Sequence, residues 1–473
     1  METPNVCALG MACGILRFKK ERLVVALSRM LDTEIFGGII LSPHNRYSPF
    51  VGSVGISGGN IEYVIPGRKD GVNAQTRIDA AGKIVMPGLV NAHCHGDMTL
   101  ARGLGDDLTL AEQNKAFEQS NWFYRDITDE DRYYSRQLNY CEALRFGTTF
   151  ILENMYWGLE GSAKAMAQTG IKGALAQDIR PDFTKPEELM SESAILNFAQ
   201  DCEAHGFIPV IGSISEEDFD PGLLRRIGAI VKSTGLLQTF HLAETTWRQD
   251  IVLAKYGDTS VNLLHKWGIL NDNMICSHAV YLSEQEIEYL AASGAKVANT
   301  PLCEMKIADG IAPIPGFLKA SITVGLGTDG AMWNNSSDIF REMKGMGLLH
   351  NLNSGIRTLS THDLLDMATI KGAALFGQEH RIGSLEPGKA ADIILVDATG
   401  PHMSPLRIGK YENVASSIAF CATGSDVSDV FVNGRHVLKN REITTLNLAE
   451  LAAKVTRTSE QIAEKLYAEQ VDR

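Results

Sequence analysis

Apolar positions fall along this chain in two textures. From about Glu34 to Ala81, and again near the C-terminus, runs of β-branched residues are broken by glycine-bearing turns, as in IFGGIILS, GSVGISGGNIEYVIPG, IGSLEPGKAADIILVDA and VSDVFVNGRHVL. Such runs predict short strands, and VNGR carries a hairpin-turn signal. Between the two ends the pattern alternates between short apolar runs and stretches with helical spacing. The runs are GLVNAHCH, TTFILENMY, IKGALAQDI, IPVIGSIS, LQTFHLAE, NMICSHAV, AKVANTP and TVGLGTDG. The helical stretches include DEDRYYSRQLNYCEALRFG, EGSAKAMAQTG, SEQEIEYLAASG and PGFLKA, with two more from Pro186 to Gly206 and from Pro221 to Gly235. Strands and helices alternating in this way, eight strands in all, predict a (β/α)8 barrel of the TIM type with strands buried on both faces. An open doubly wound sheet is the competitor, and the lack of a GxGxxG turn opening a helix counts against it.

The expected organisation is an N-terminal extension over 1–33, a β-sandwich built by both chain ends from 34–86 and 382–440, a barrel over 87–381, and a C-terminal helix within 441–473. STHDLLDMATIKGAALFG predicts a helix pair leading from the barrel back to the sandwich, and the last helix is expected to serve packing or subunit contact.

Composition narrows the partners. With 473 residues, 44% hydrophobic, the chain can bury a large core, and its net charge of -13 argues against a nucleic-acid partner, which clustered Lys and Arg would recognise. No apolar run reaches the roughly 18 residues needed to span a bilayer, so no membrane contact is expected. The eight cysteines include no CxxC pair and read as reduced, mostly buried thiols of a cytoplasmic protein. A small ligand is the partner these numbers favour.

Chemistry enters at the strand ends. In GLVNAHCHGDMTLARG, His93 and His95 are separated by one residue, so on a strand both imidazoles leave the same face and Cys94 the other. His241 and Glu244 end the fifth strand, His278 the sixth and Asp329 the eighth, and the C-terminal end of a barrel is where active sites are built. Any one of these residues alone reads as structural; their joint placement points to a site. Three imidazoles and one carboxylate, His93, His95, His241 and Asp329, suit a divalent cation such as Zn²⁺, with Fe²⁺ or another transition ion as alternatives. Such an ion lowers the pKa of a bound water to about 7, making hydroxide available. Asp329 would orient that water, Glu244 would shuttle its proton, and His278 would polarise the attacked centre.

These residues sit in stretches that resemble the amidohydrolase superfamily, in particular the group of methylthioadenosine/S-adenosylhomocysteine deaminases and chlorotriazine hydrolases. MPGLVNAHCHGDMTLARGLGDDL, HLAET, SHAVYLSEQEI, MKIADGIAPI, GLGTDGAMWNN and IGSLEPGKAADIILVD are similar to that group's motifs in their usual order, over nearly everything after about Glu34. The resemblance implies a barrel with a β-sandwich, a mononuclear metal on His93, His95, His241 and Asp329, and Glu244 with His278 as the catalytic pair. Binuclear members carry a lysine after the fourth strand, and PVIGSISEE has none there. The implied activity is deamination at an sp² carbon of a nitrogen heterocycle such as a purine, pterin, pyrimidine or triazine, with release of ammonia or an amine. Other outcomes of the same resemblance are a dechlorinase, a carbamate, thiocarbamate or urea hydrolase, and a non-catalytic assembly protein. A homodimer or homotetramer is implied as well.

The sequence leaves the group's pattern where substrate would sit. NWFYRDIT stands where nucleoside deaminases have a ribose-binding PxE, GSISEED replaces GPHSP, TPLCEMK replaces NPxSNxK, and Met332 and Trp333 replace small residues. Ribose binding is therefore not expected. Trp122, Phe123, Tyr124, Trp157 and Trp333 are candidates for an aromatic wall against a flat ring, Glu304 for hydrogen bonding ring N–H groups, Lys306 for pairing with Glu304 or with a substrate carboxylate, and Cys303 for lining the pocket.

Overall fold

The computed structural model describes residues 30–113, 115, 127–155, 159–178, 190–216 and 219–471. The predicted extension therefore lies outside the described residues up to Met30, and the first strand begins at Leu31, earlier than the expected boundary.

All eight anticipated runs are strands of one parallel sheet. In chain order these are β6 (Leu89–Cys94), β7 (Thr148–Met155), β8 (Lys172–Gln177), β9 (Ile208–Ile214), β10 (Leu237–Leu242), β11 (Met274–His278), β12 (Lys296–Asn299) and β13 (Val324–Leu326), each paired with its sequence neighbour. The ring closes just past β13, where the Thr328 and Asp329 N–H groups both donate to the His93 carbonyl at 3.0 Å. Asn91 reinforces the seam, donating from Nδ2 to Thr328 Oγ1 at 2.8 Å and accepting from the Thr328 N–H at 3.1 Å. Gly327 makes this approach possible, because a Cβ there would lie 2.6 Å from His93 Cβ.

Alternation along the strands divides the apolar residues into two layers. Phe150, Leu152, Ala174, Ala176, Val210, Ile275 and Ala298 form one cluster with Leu375, Phe376 and Ile382, the Phe376 ring lying 5.0 Å from Phe150 near the start of β7. The other layer, with Cys94, Ile151, Leu175, Ile211, Phe240 and Cys276, packs under the surrounding helices. Helix starts and stops follow their sequence signals: Ser283 caps Glu284–Ser293 with a capping box, and Gly235 and Gly294 end their helices at φ 73° and 78°. Five helices matter for the site: α1 (Asp129–Arg145), α2 (Thr246–Tyr256), α3 (Pro301–Lys306), α4 (Ile339–Ser354) and α5 (Leu448–Val471). The sequence pattern did not single out α4.

Both chain ends build the second unit, as one continuous nine-stranded mixed sheet. Its order is β17-β16-β15-β14-β5-β1-β2-β3, with β4 beside β1. Here β1 is Leu31–Ile40, β2 Phe50–Ser57, β3 Asn60–Pro66, β4 Ala74–Asp79, β5 Lys83–Pro87, β14 Ile393–Asp397, β15 Val427–Val432, β16 Arg435–Lys439 and β17 Glu442–Ile443. The sheet curls around Ile35, Val54, Ile56, Val85, Ile393, Leu395 and Phe431 until the β2–β3 turn meets the β15–β16 turn, Ala391 bridging through its N–H to Gly59 and its carbonyl to Gly434, both at 2.9 Å. Asn433 and Gly434 have φ 48° and 74°, the left-handed pair a two-residue hairpin needs. Helix α5 packs on α1 and on the segment after His95, with Leu451, Val455 and Ile462 against Met98 and Leu100 and with Ser459 Oγ donating to the Leu100 carbonyl at 2.7 Å.

Asp429 ties the sheet's two contributing segments together. It accepts from Lys83 Nζ of β5 at 2.8 Å, from Ser428 Oγ at 2.7 Å and from His436 Nε2 at 3.0 Å. Burial opposes its ionisation, but these hydrogen bonds prevail and hold the carboxyl well below its usual range. Because the folded state binds the proton less readily than the unfolded chain, this stabilisation is complete above the unfolded value near 4 and fades as pH falls toward the folded one. Asp429→Asn is expected to cost about 1–3 kcal/mol in denaturant unfolding at pH 7. The gap between variant and wild type should narrow below about pH 4, and a gap that widens there would contradict the assignment.

Candidate metal centre and active site

The site is assembled where four strands end. His93 lies on β6 and His95 follows it, both facing the site, while Cys94 faces α1 with its Sγ 3.4 Å from Asn139 Oδ1. His241 lies on β10, His278 is the last residue of β11, and Asp329 follows β13. The chain bends sharply at these ends: Ala243, His278, Ala279 and Asp329 have φ of 51°, 67°, 55° and 61°. Non-glycine residues held in this region cluster at functional sites, where surrounding contacts fix a conformation that the chain alone disfavours.

The side chains converge. The His93 ring lies 5.0 Å from His95, 4.9 Å from His241 and 5.1 Å from His278, centroid to centroid. His95 Nε2 and His241 Nε2 face each other at 3.3 Å, and Asp329 Oδ1 lies 3.7 Å from Nε2 of both His93 and His95. Three overlapping sets, His93–His241–His278, His93–His95–Asp329 and Glu244–His278–Asp329, each bring their donor atoms within 4.8 Å of one another. His93, His241 and His95 are buried, which with the neighbouring imidazoles presses the first two well below their usual pKa and lowers the third, so the rings are neutral donors. His93 Nε2 has no hydrogen-bond partner among the described residues, whereas its Nδ1 is held by Ser277 Oγ at 2.9 Å and Asn154 Nδ2 at 3.0 Å. An orphaned ring nitrogen, facing neutral imidazoles and a carboxylate, fits a divalent cation.

Glu244 and His278 form a second pair beside this cluster. Glu244 Oε1 is 3.6 Å from His278 Nε2, and Glu244 Oε2 accepts from Arg248 of α2. On its far side, His278 Nδ1 meets Thr300 Oγ1 at 2.9 Å and Glu304 Oε1 at 3.7 Å. Burial disfavours charge on His278, but Glu244, Glu304 and Asp329 outweigh it and raise its pKa to about 9.

Three residues expected at the substrate have other partners. Glu304 accepts through Oε1 from Asn299 Nδ2 at 2.7 Å and from the Thr300 N–H and Oγ1 at 3.3 Å, so that oxygen backs His278. Lys306 bonds Asp106 at 2.6 Å, Asn335 Oδ1 at 2.8 Å and the Met332 carbonyl at 2.9 Å, joining two loops without reaching Glu304. Cys303 directs its thiol to Asp329 Oδ2 at 3.0 Å, leaving Oδ1 toward the imidazoles. Trp333 stands edge-on to His95 with ring centroids 5.4 Å apart, which suits a wall. Trp122, Phe123, Tyr124 and Trp157 lie outside the described residues.

Behind the site, Glu153 of β7 accepts the Gly96 N–H with both oxygens at 3.1 Å and Arg136 Nε at 3.2 Å, while Asp97 takes Arg132 and Arg136, each at 3.2 Å. Glu216 accepts the Ala243 N–H at 2.8 Å and so fixes the bend between His241 and Glu244. Sequence reasoning missed these supports, and it also missed Arg248.

The amidohydrolase family profile matches residues 84–437. A 5-methylthioadenosine/S-adenosylhomocysteine deaminase of Moorella thermoacetica is 34% identical over 411 residues, covering 86% of this chain and 94% of its own. A 5'-deoxyadenosine deaminase of Methanosarcina mazei is 34% identical over 422 residues, 88% of this chain and 94% of its own. Among solved structures, an adenosine deaminase from Xanthomonas campestris with bound zinc superposes with a TM-score of 0.83 at 26% identity, over 92% of this chain and 99% of its own. Atrazine chlorohydrolase from Arthrobacter aurescens, complexed with zinc, shares the fold with a TM-score of 0.79 at 22% identity, over 90% and 100% of the two chains.

The purified protein should carry about one divalent ion per chain, since one cluster of neutral imidazoles is present among the described residues. His241→Ala should abolish that content in elemental analysis, and restoring the ion to chelated wild type should raise its melting temperature, by about 2.7 kcal/mol of stabilisation at a hundredfold excess over Kd. Full metal content in the alanine variant would contradict the ligand assignment.

Proposed function

The chain belongs to the amidohydrolase family, and from that premise we propose that it is a divalent-metal-dependent aminohydrolase that deaminates an sp² carbon of a nitrogen heterocycle. The observation carrying this reading is the Glu244–His278 pair set directly beside the four side chains His93, His95, His241 and Asp329. Zinc is the proposed ion, from the imidazole-rich donor set and the zinc-bearing adenosine deaminase that shares the fold.

When bound, the cation supplies a water whose pKa is lowered toward about 7. Asp329 accepts from Cys303 with Oδ2 and from the Gly330 N–H with Oδ1, and Oδ1, which also lies 3.7 Å from the His93 and His95 Nε2 atoms, would orient the attacking water. Glu244, anchored by Arg248, accepts the water's proton and returns it to the departing nitrogen. A C–O bond forms, the C–N bond breaks, ammonia leaves and the ring keeps a carbonyl. His278 donates from Nε2 to negative charge developing on a heteroatom bonded to the attacked carbon, its ring fixed from behind by Thr300 and Glu304.

The ring, more than a sugar, is the proposed recognition element. Trp333, T-shaped against His95, supplies an aromatic wall beside the ligands, and the stretch after β9 commits Glu216 to the backbone of Ala243. A homo-oligomer in the cytoplasm accompanies this reading. Leu348 and Leu352 on α4, with Ile356 beyond it, make an apolar row 52%, 88% and 84% exposed, which supports the first. The free thiols of Cys94, Cys141, Cys202, Cys276, Cys303 and Cys421 support the second. Among the described residues no helix is long and apolar enough to cross a membrane.

Ammonia release from a panel of aminopurines, pterins, aminopyrimidines and aminotriazines tests the reading. At least one ring should be deaminated, and Glu244→Gln should lower kcat by about 10²- to 10⁴-fold with metal content retained. Undiminished turnover in that variant would remove Glu244 from the proton path, and release of chloride or CO₂ in place of ammonia would change the leaving group.

A further inference from the structure

The aromatic wall beside the ligands is carried by a turn that begins at one of them. Asp329 runs directly into the short helical segment Ala331–Asn334, which holds Trp333, and Asn335 closes it at φ 66°. The Trp333 ring stands against His95 with centroids 5.4 Å apart and packs on Leu110, Cys303 and Ile307. Its indole Nε1 is buried with no hydrogen-bond partner among the described residues, so among them no polar bond of its own fixes the ring. Where Trp333 stands is set by packing and by whatever holds the backbone of its turn.

Side chains from two other loops hold that backbone. Lys306 Nζ donates to the Met332 carbonyl at 2.9 Å and to Asn335 Oδ1 at 2.8 Å, on either side of Trp333 in the chain. The same ammonium pairs with Asp106 Oδ1 at 2.6 Å, and Asp106 Oδ1 accepts from Asn335 Nδ2 at 3.2 Å. Lys306, Asp106 and Asn335 thus form a closed triangle that joins the end of α3, the loop after β6 and the turn after β13. Arg102 of the β6 loop adds a bond from Nη1 to the Asn335 carbonyl at 2.6 Å. Lys306 is distinguished by the helix it ends. Within α3, Cys303 donates to Asp329 Oδ2 at 3.0 Å and Glu304 backs His278, so the clasp refers the wall to the groups that hold the ion and polarise the substrate. The Lys306 and Asp106 side chains are 24% and 45% exposed, and an ion pair so hydrated adds little to fold stability. What several acceptors around one ammonium do determine is position, and small displacements of a binding group are costly to recognition.

We propose that Lys306 is a positioning residue for ring recognition: its clasp on Asp106, Asn335 and the Met332 carbonyl holds Trp333 where a flat heterocycle is gripped beside His95. This rests on the aminohydrolase reading and deepens it, assigning the grip on the substrate to a bond between loops that touches no reacting atom.

The test uses the metal-loaded full chain as wild type, Lys306→Met, Trp333→Ala and the double variant, with melting temperature and metal content as controls and Trp333→Leu as substitute should the alanine variant not fold. The probe is whichever aminopurine, pterin, aminopyrimidine or aminotriazine the wild type binds most tightly in calorimetry, with turnover followed by ammonia release. Lys306→Met should weaken binding and raise KM by about five- to tenfold while kcat and metal content stay within about twofold of wild type. Trp333→Ala should weaken binding at least as much, and adding Lys306→Met to it should change binding by less than about twofold, because the clasp acts through the ring. Losses that multiply in the double variant, a fall in kcat with KM unchanged, or a Trp333→Ala variant that binds like wild type overturns the proposal. Coupled losses of binding without ammonia release overturn the deaminase reading and leave the clasp standing. Ammonia release with Lys306→Met unchanged does the reverse, and a wild type that binds no ring of the panel overturns both.

Discussion

Neutral imidazoles crowded together inside a barrel mouth offer their lone pairs to whatever positive charge sits among them. His93, His95, His241 and His278 lie with neighbouring ring centroids about 5 Å apart, fully or nearly fully buried, with Asp329 and Glu244 at their rim. Protonating His93, His95 and His241 would stack like charges in a low-dielectric space, and burial keeps these three rings neutral, while Glu244, Glu304 and Asp329 favour the charged form of His278. A cation shared by the three neutral rings and Asp329 uses lone pairs that the surrounding structure keeps pointed at one place.

That arrangement reaches into the fold's own closure. The carbonyl of His93 accepts from both Thr328 and Asp329, so the same bonds that complete the barrel set the distance between the first ligand and the last. Gly96 is pinned by Glu153, and Glu216 pins the turn that separates His241 from Glu244. Helix α5 lies over the segment after His95. The curled sheet made by the two chain ends places β5 immediately before β6, so that the strand carrying the first ligands enters the barrel from a rigid base.

The barrel was legible because its strands are short apolar runs whose beat survives in one dimension, and the ligands because they end those runs. His93 and His95 sharing a face, with Cys94 on the other, follows from strand alternation alone. Partner choice was not legible. Glu304 and Lys306 are two residues apart, yet one turns inward behind His278 and the other spans two surface loops, a difference fixed by tertiary neighbours. Helix α4 escaped notice because exposed Leu348 and Leu352 blur its buried face of Ile339, Phe340, Met343 and Met346.

The central claim is that the buried side chains of four strand ends hold a single cation. Anomalous diffraction from crystals of the metal-loaded protein at the ion's absorption edge tests it most directly. One peak should appear within about 2.0–2.2 Å of the Nε2 atoms of His93, His95 and His241 and of Asp329 Oδ1, with Glu244 and His278 beyond that distance. A peak elsewhere, or a loaded protein with none in this cluster, would contradict the account.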